Sequence, residues 1–436
     1  MLKRIHIKGY KSLADVDITL SPLTLLFGPN AAGKSNFLDA LQLLSKMATS
    51  RTLREAFDPP YRGKPLESFT IGQKGIQGLV EQEMLSFSIE ADLELSEAVV
   101  SAVNRQIQEM RGASGDARAV GAGNTPGRIR ERSLRYRIEV EMHPRSGILL
   151  MADEYLAALN SKGEPTGSRS PFLDRQGDKI RLRLEGQAHP TDYDRYLDHT
   201  ILSMPHYPPH YPHLTAARRE LESWLFFYFE PRERMRAPGP VKEVHHIGLM
   251  GEELAAYLNT LHARNPNQFK AIEKGLHTLI PSIDGIQVDV SNLGEVELFL
   301  KENNVAIPAR VLSEGTLRML GLLALTGAEE PPSLVGFEEP ENGVNPARIQ
   351  LIANLLTTRR LIGTSQYIVT THSPMLPDML PADSLFIVQQ IERQTRIDPY
   401  ADWGPLARRK DIENALDGLP STLPVSQRIL RGDFEN

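Results

Sequence analysis

Apolar and polar positions change period several times along the chain, and each change marks an element. Leu23-Thr24-Leu25-Leu26-Phe27 is a short, nearly continuous apolar run, which predicts a strand buried on both faces. It enters Gly28-Pro29-Asn30-Ala31-Ala32-Gly33-Lys34-Ser35, and Asn36 to Leu44 then carries apolar residues at helical spacing. Leu85 to Leu93, Tyr136 to Glu141 and Ile180 to Leu184 alternate with period two, and Gly147 to Glu154 supplies one more strand. Strands separated by turns rather than helices predict an antiparallel sheet beside the parallel one. From Asp192 to Phe229 the period becomes helical around a Pro-rich interruption, Met204 to His213, and predicts a helical arm. Glu252 to Leu258 opens a further helix, and Leu317, Leu320 and Leu323 mark another. Ser333 to Phe337, Gln366 to Thr370 and Leu385 to Val388 are further apolar strands.

The segment Gly28–Ser35 fits G-x-x-x-x-G-K-[ST] between a strand and a helix, where phosphate chemistry needs it. Its glycines let backbone N–H groups turn inward, and the helix adds its positive N-terminal end. Lys34 is expected to reach the β- and γ-phosphates of a nucleoside triphosphate, and the Ser35 hydroxyl to hold Mg²⁺. An exposed Gly-rich turn is the poorer reading.

Two later strands deliver polar tips. Glu338 and Glu339 end the first, and open α/β sheets bind ligands at that edge. Glu338 is suited to hold Mg²⁺ through water, and Glu339 to orient or deprotonate an attacking water. His372 ends the second strand, positioned to sense a γ-phosphate. Before both stands Leu312-Ser313-Glu314-Gly315-Thr316 at a helix start, a second anion-binding device. Each feature alone has a plain alternative: a solvated turn, a loop, a helix cap.

Together, in this order, they resemble the ABC-type ATPases. Ile5-His6-Ile7-Lys8-Gly9-Tyr10-Lys11-Ser12-Leu13 is similar to the opening strand and "G-[FY]-K-S" turn of the SMC/RecF/OLD branch. Asn30-Ala31-Ala32-Gly33-Lys34-Ser35-Asn36 resembles that branch's "N-x-x-G-K-S-N" loop. The resemblance implies an α/β P-loop ABC-ATPase head with a mixed sheet, an antiparallel β lobe and an inserted helical arm. It assigns ATP and Mg²⁺ as cofactors, with Gly28 through Asn36 around the phosphates and Ser35 and Glu338 towards the metal. Glu339, His372 and Lys34 are then the catalytic set. Ser313 and Gly315 become the signature residues, acting in trans on ATP held by a second subunit. Glu338 replaces the more usual Asp, and Glu314 and Thr316 replace the Gly and Gln of the transporter-type signature. No Q-loop glutamine stands out among Gln73, Gln77 and Gln82.

Composition narrows the setting. A 436-residue chain with 41% hydrophobic and 24% charged residues can bury a large core. The absence of cysteine excludes disulfides and thiolate metal sites and suits a reducing compartment, and no signal-like or membrane-spanning run occurs, so a cytoplasmic protein is expected. A net charge of -6 argues against wholesale attraction to DNA but leaves room for a local basic face. Arg128, Arg130, Arg132, Arg135 and Arg137 form one basic run, and Arg232, Arg234 and Arg236 a second. Strand alternation and interleaved acids favour solvated surfaces for both. Prolines between His206, His210 and His213, with His199 nearby, prevent helical convergence of the rings, so no metal beyond Mg²⁺ is expected.

The expected organisation is an ATPase-head part over 1–95, an antiparallel lobe with a Gly/Ala-rich loop over 96–190 and a helical insertion over 191–240. The rest of the head follows over 241–390, with a tail over 391–436. After His372 the length and acidic cluster of a TOPRIM nuclease are missing, so the chain looks like the ATPase half of an OLD-type enzyme. Such stand-alone ATPases resemble phage-defence components that dimerise, or form higher homo-oligomers, and work with a separately encoded nuclease or toxin. A RecF-like DNA-repair module is the alternative.

Overall fold

The computed structural model describes residues 1–113, 128–167, 169–185, 190–325, 331–402 and 424–434. The chain opens with the hairpin β1 (Leu2–Tyr10) and β2 (Leu13–Thr19), then passes through β3 (Leu23–Phe27) into helix α1 (Lys34–Met47). The next strands are β4 (Leu85–Glu94), β5 (Ser133–His143), β6 (Ile148–Ala158), β7 (Leu173–Gln176), β8 (Lys179–Leu182) and β9 (Thr191–Asp194). With β1 and β2 they form one eight-stranded sheet, antiparallel throughout, in the order β2-β1-β4-β5-β6-β7-β8-β9. The period-two pattern sets its faces: along β5, Leu134, Tyr136, Ile138 and Val140 are buried and join α1 in one apolar core.

The second sheet holds β3 at its centre. Its order is β10 (Leu225–Phe227), β15 (Leu334–Glu338), β16 (Gln366–Thr371), β3, β17 (Leu385–Ile391), β18 (Gln394–Pro399). All pairs are parallel except the β17–β18 hairpin. Alternate residues of the apolar runs serve opposite faces, as a sheet covered on both sides requires. Leu26, Ile368 and Phe386 point into the core shared with α1. Leu25, Phe337 and Val369 point into a second core, built with the helices Leu254–Arg264, Pro266–Leu279, Glu314–Ala324 and Pro346–Ile362. A small third sheet, β11 (Gly239–Pro240), β12 (Ile283–Val290), β13 (Glu295–Glu302) and β14 (Val305–Pro308), closes that side.

The segment 191–240 differs from the helical arm expected of it. It contains β9, one 11-residue helix (Pro212–Glu222), β10 and β11. The prolines at 205, 208 and 209 break the helical period, and Pro212 fits only the first turn, where its missing N–H costs nothing. The helix does not project: Leu214, Ala217 and Leu221 are buried in the core around α1. Of the Gly/Ala-rich stretch expected as a loop, Gly112 and Ala113 end the helix Glu97–Ala113, and 114–127 lies outside the described residues.

Among the histidines weighed as a metal group, His213 is a satisfied core residue. Its ring is fully buried and stacks on Phe172, with centroids 4.5 Å apart. Nδ1 meets Glu185 Oε2 at 2.6 Å, while Nε2 accepts from the backbone N–H groups of Arg130 and Glu131 at 3.2 and 3.1 Å. Those partners place the ring's Nδ1–H on Glu185 and leave Nε2 as the acceptor. His213→Ala would remove a partner of the buried Glu185 carboxylate and open a cavity beside Phe172, so unfolding free energy should fall by roughly 3 kcal/mol. Denaturant titration checks this, and a loss under about 1 kcal/mol would mean that the ring is not a tie of the lobe.

Candidate active site

The parallel sheet delivers the site. Phe27 pairs with Thr371, and Thr370 pairs with Glu338, so Gly28, His372 and Glu339 each follow directly on a strand tip at the same edge. Gly33 caps α1 at φ 104°, a left-handed conformation that L side chains rarely adopt. A Cβ there would lie 1.9 Å from Thr395 Oγ1, so this close approach requires glycine. Thr395 in turn donates to the carbonyl of Ala32 at 2.8 Å and meets Ser12 Oγ at 2.7 Å. Asn36 also donates to Ser12, at 2.7 Å. The phosphate loop is thus braced from outside by the β1–β2 turn and by β18.

Within the loop, α1 has no side-chain cap and no acid in its first turn, which leaves its N–H groups to an anion. Lys34 is buried and donates to the carbonyls of Gly28 and Pro29, both at 2.8 Å. Burial pushes its pKa down to about 8, against the pull of Glu339, Glu338 and Glu341. Its ammonium also lies 3.4 Å from His372 Nδ1. A lysine only donates, so Nδ1 accepts and the ring proton sits on Nε2, 3.0 Å from Glu339 Oε1. Burial and the neighbouring Lys34 hold His372 below the usual imidazole range, in keeping with a neutral ring.

Glu339 itself is at φ 49°, strained for a non-glycine residue, and its N–H is pinned to the Thr370 carbonyl at 3.0 Å. Ser35 Oγ donates to Glu338 Oε1. Lys34, His372 and Glu339 therefore form one chain of contacts, with Ser35 and Glu338 another beside it. A hydroxyl and a carboxylate already in contact, with a cation drawn against that same carboxylate, are a donor set that fits Mg²⁺. Phosphate oxygens and water would have to complete the coordination.

Ser313 and Gly315 lie apart. Ser313 is exposed and caps its own helix, accepting from the Thr316 N–H at 3.1 Å. Gly315 is buried against the loop after β15; a Cβ on it would come within 2.8 Å of the Gly343 carbonyl. No described contact joins Ser313 to Lys34 or Ser35. Two arginines of the second basic run grip the residues on either side of Ser313. Arg236 donates to the Leu312 carbonyl at 2.6 Å, and Arg232 to Glu314 at 2.8 Å. In the first run, Arg132, Arg135 and Arg137 pair with Glu97, Asp92 and Asp153.

None of Gln73, Gln77 and Gln82 reaches the site: all three are exposed, and Gln77 and Gln82 bond within their own turn. Three residues absent from the sequence reading do belong. Arg62 and Asp39 form an ion pair beside Glu338. Glu341, buried, accepts from Thr371 Oγ1, and burial raises its pKa. The third acid in Glu338-Glu339-Pro340-Glu341 was a visible signal for the last; Arg62 has none.

Comparison with known proteins places the chain among ATPases. A family described as "AAA ATPase domain" matches residues 1–110, and one described as "AAA domain, putative AbiEii toxin, Type IV TA system" matches residues 167–378. An OLD nuclease of Thermus scotoductus is 48% identical over 44 residues, which is 10% of this chain and 8% of that protein. A DNA replication and repair protein RecF of Gloeobacter violaceus is 35% identical over 85 residues, or 19% of this chain and 22% of that one. The chain carries AAA ATPase domains and is an SMC/RecF/OLD-like ATPase. The matches span less than a quarter of either relative's length. A solved SMC head bound to the C-winged helix domain of ScpA aligns with 91% of this ATPase and 96% of its own chain, at 13% identity and a TM-score of 0.48.

The lysine of this ATPase makes a pH prediction. Phosphates favour charged Lys34, so its pKa must rise on nucleotide binding from the value near 8. Below that value the lysine is charged in both states and ATP affinity should be flat. Above it, binding must restore a proton, so affinity should fall by up to about tenfold per pH unit. Equilibrium ATP binding from about pH 6.5 to about pH 9.5 measures this. A flat profile would mean that the ammonium does not meet the nucleotide.

Proposed function

We propose that this ATPase is a dimeric conformational switch in which two ATP molecules are held between subunits. The observation that carries the reading is the placement of Ser313. It stands exposed at a helix start, with no described contact to its own phosphate loop, while Lys34, Ser35, Glu338, Glu339 and His372 converge there. A second copy of the chain supplies what one copy lacks: Ser313 and Gly315 close the partner's site.

In that assembly Gly28 through Asn36 wrap the phosphates with backbone N–H groups. Lys34 leaves the carbonyls of Gly28 and Pro29 for the β- and γ-phosphate oxygens. Ser35 and Glu338 would hold Mg²⁺, whose chemistry there would be charge neutralisation at the phosphates. Glu339 takes the proton of the attacking water, and His372 orients Glu339 through Nε2–H while facing the γ-phosphate.

Glu339→Gln should still bind ATP, lose turnover by roughly 10²-fold or more and accumulate as an ATP-bound dimer. Steady-state hydrolysis and light scattering check both, and near-normal turnover would remove Glu339 from the role. The shared site is tested by mixing. Ser313→Arg alters an exposed residue and is preferable to any change at Gly315, whose neighbour leaves no room. Ser313→Arg and Lys34→Ala should each be inactive alone. Mixed in equal amounts they should recover up to about a quarter of wild-type turnover, because half the dimers carry one intact site. No recovery in a mixture shown to co-assemble would mean that each chain is complete alone.

The biological setting we infer is a cytoplasmic antiviral defence system. Here the switch is the sensor or regulator subunit and a separately encoded nuclease or toxin is the effector. The OLD nuclease match and the AbiEii wording of the family model support this reading. No described helix is long and apolar enough to cross a membrane. The RecF match favours a second reading, a DNA-clamping repair module. DNA affinity that rises with ATP, in the absence of any effector, would select it.

A further inference from the structure

We propose that Arg62 is a built-in counter-cation. It holds Glu338 and the start of α1 in the nucleotide-free form and competes with Mg²⁺ for Glu338. The inference rests on the nucleotide reading of this site.

Arg62 comes from the loop between the short helix Leu53–Ala56 and the 3-10 turn Pro65–Ser68, far from the motifs in sequence. Its guanidinium contacts three groups. Nη1 lies 3.2 and 3.1 Å from the two carboxylate oxygens of Glu338. Nη2 donates to the Ser35 carbonyl at 3.2 Å and to Asp39 Oδ1 at 2.8 Å, and Nε donates to the same Oδ1 at 3.0 Å. The fork therefore bridges the phosphate loop, α1 and the tip of β15 at once.

Charge explains why a cation is needed there. The Asp39 and Glu338 side chains are only 7% and 8% exposed. Asp39 has a second cation, Lys11 Nζ at 2.8 Å. Among the described hydrogen bonds and ion pairs, Glu338 has only Arg62 and the Ser35 hydroxyl, while the Lys34 ammonium acts on it at longer range. A carboxylate this buried needs a positive partner, and in the nucleotide-free chain Arg62 supplies it. A divalent cation held by Ser35 and Glu338 would face the guanidinium across the same carboxylate, and like charges repel. Arg62 can yield, since its side chain is 46% exposed and leaves Asp39 still paired with Lys11. Removing it should therefore tighten metal binding rather than weaken it. Damage to the fold does not produce a gain of affinity.

The experiment uses the full chain with a non-hydrolysable fluorescent ATP analogue, first in EDTA and then titrated with Mg²⁺. Wild type is compared with Arg62→Ala and Arg62→Lys. Arg62→Ala should bind the analogue in EDTA about as well as wild type and reach half-saturation at roughly tenfold less Mg²⁺. Arg62→Lys, which keeps the charge but cannot bridge three groups, should fall between. An unchanged or higher Mg²⁺ requirement overturns the proposal. So does a loss of analogue affinity in EDTA, which would make Arg62 a phosphate ligand instead. Should Arg62→Ala fail to fold by circular dichroism, Arg62→Lys decides alone, and a half-saturation no lower than wild type counts against the idea. Wild type that binds no analogue at all would sink the nucleotide reading itself. Wild type that binds, with unaltered variants, sinks only the counter-cation.

Discussion

The parallel pairing of β3 with β16 is the constraint on which the rest of the structure depends. It sets Phe27 against Thr371, and the adjoining pair sets Thr370 against Glu338. The chain leaves all three strands at one level, and the residues just beyond are Gly28, His372 and Glu339. A register slip of one residue would turn every strand side chain to the opposite face and scatter this edge. The buried faces prevent such a slip, because Leu26 and Ile368 belong to one core and Leu25 and Val369 to the other.

Once the edge is set, electrostatics decides how it is held. Three acids, Glu338, Glu339 and Glu341, gather beside a buried lysine and oppose the burial that lowers its pKa to about 8. Each finds a specific answer: Arg62 and the Ser35 hydroxyl for Glu338, the His372 Nε2–H for Glu339, the Thr371 hydroxyl for Glu341. The loop's own carbonyls occupy Lys34.

The helix that begins at Ser313 is tied to the same machinery from outside the sheet. Gly315 rests on the loop leaving β15, and Arg236 and Arg232 hold the residues flanking Ser313. These arginines sit just past β10, which pairs with β15. The tip of β15 thus adjoins the segment around Ser313 in two places, at the Gly343 carbonyl and through the β10 segment. The basic run that composition alone presents as a surface patch is, for Arg232 and Arg236, part of this support.

Local chemistry was enough to read Gly28–Ser35, the two polar-tipped strands and the period-two strands of the lobe, because a phosphate loop and a half-buried strand are specified by neighbouring residues. The order of the motifs was enough for the family. The sequence was misleading between Asp192 and Phe229, where a helical period was real for only one short helix and Leu225–Phe227 joined the parallel sheet instead. Arg62, Thr395 and Ser12 converge on the loop from three distant segments, and no spacing rule relates them to Lys34. His213 carries a ligand's side chain but was spent on two backbone donors and a carboxylate. The chain by itself thus determined which chemistry is present and on which elements it rides. Tertiary structure alone decided which charges neutralise one another and which way Ser313 faces, because ion pairing and burial depend on residues brought together by packing rather than by sequence.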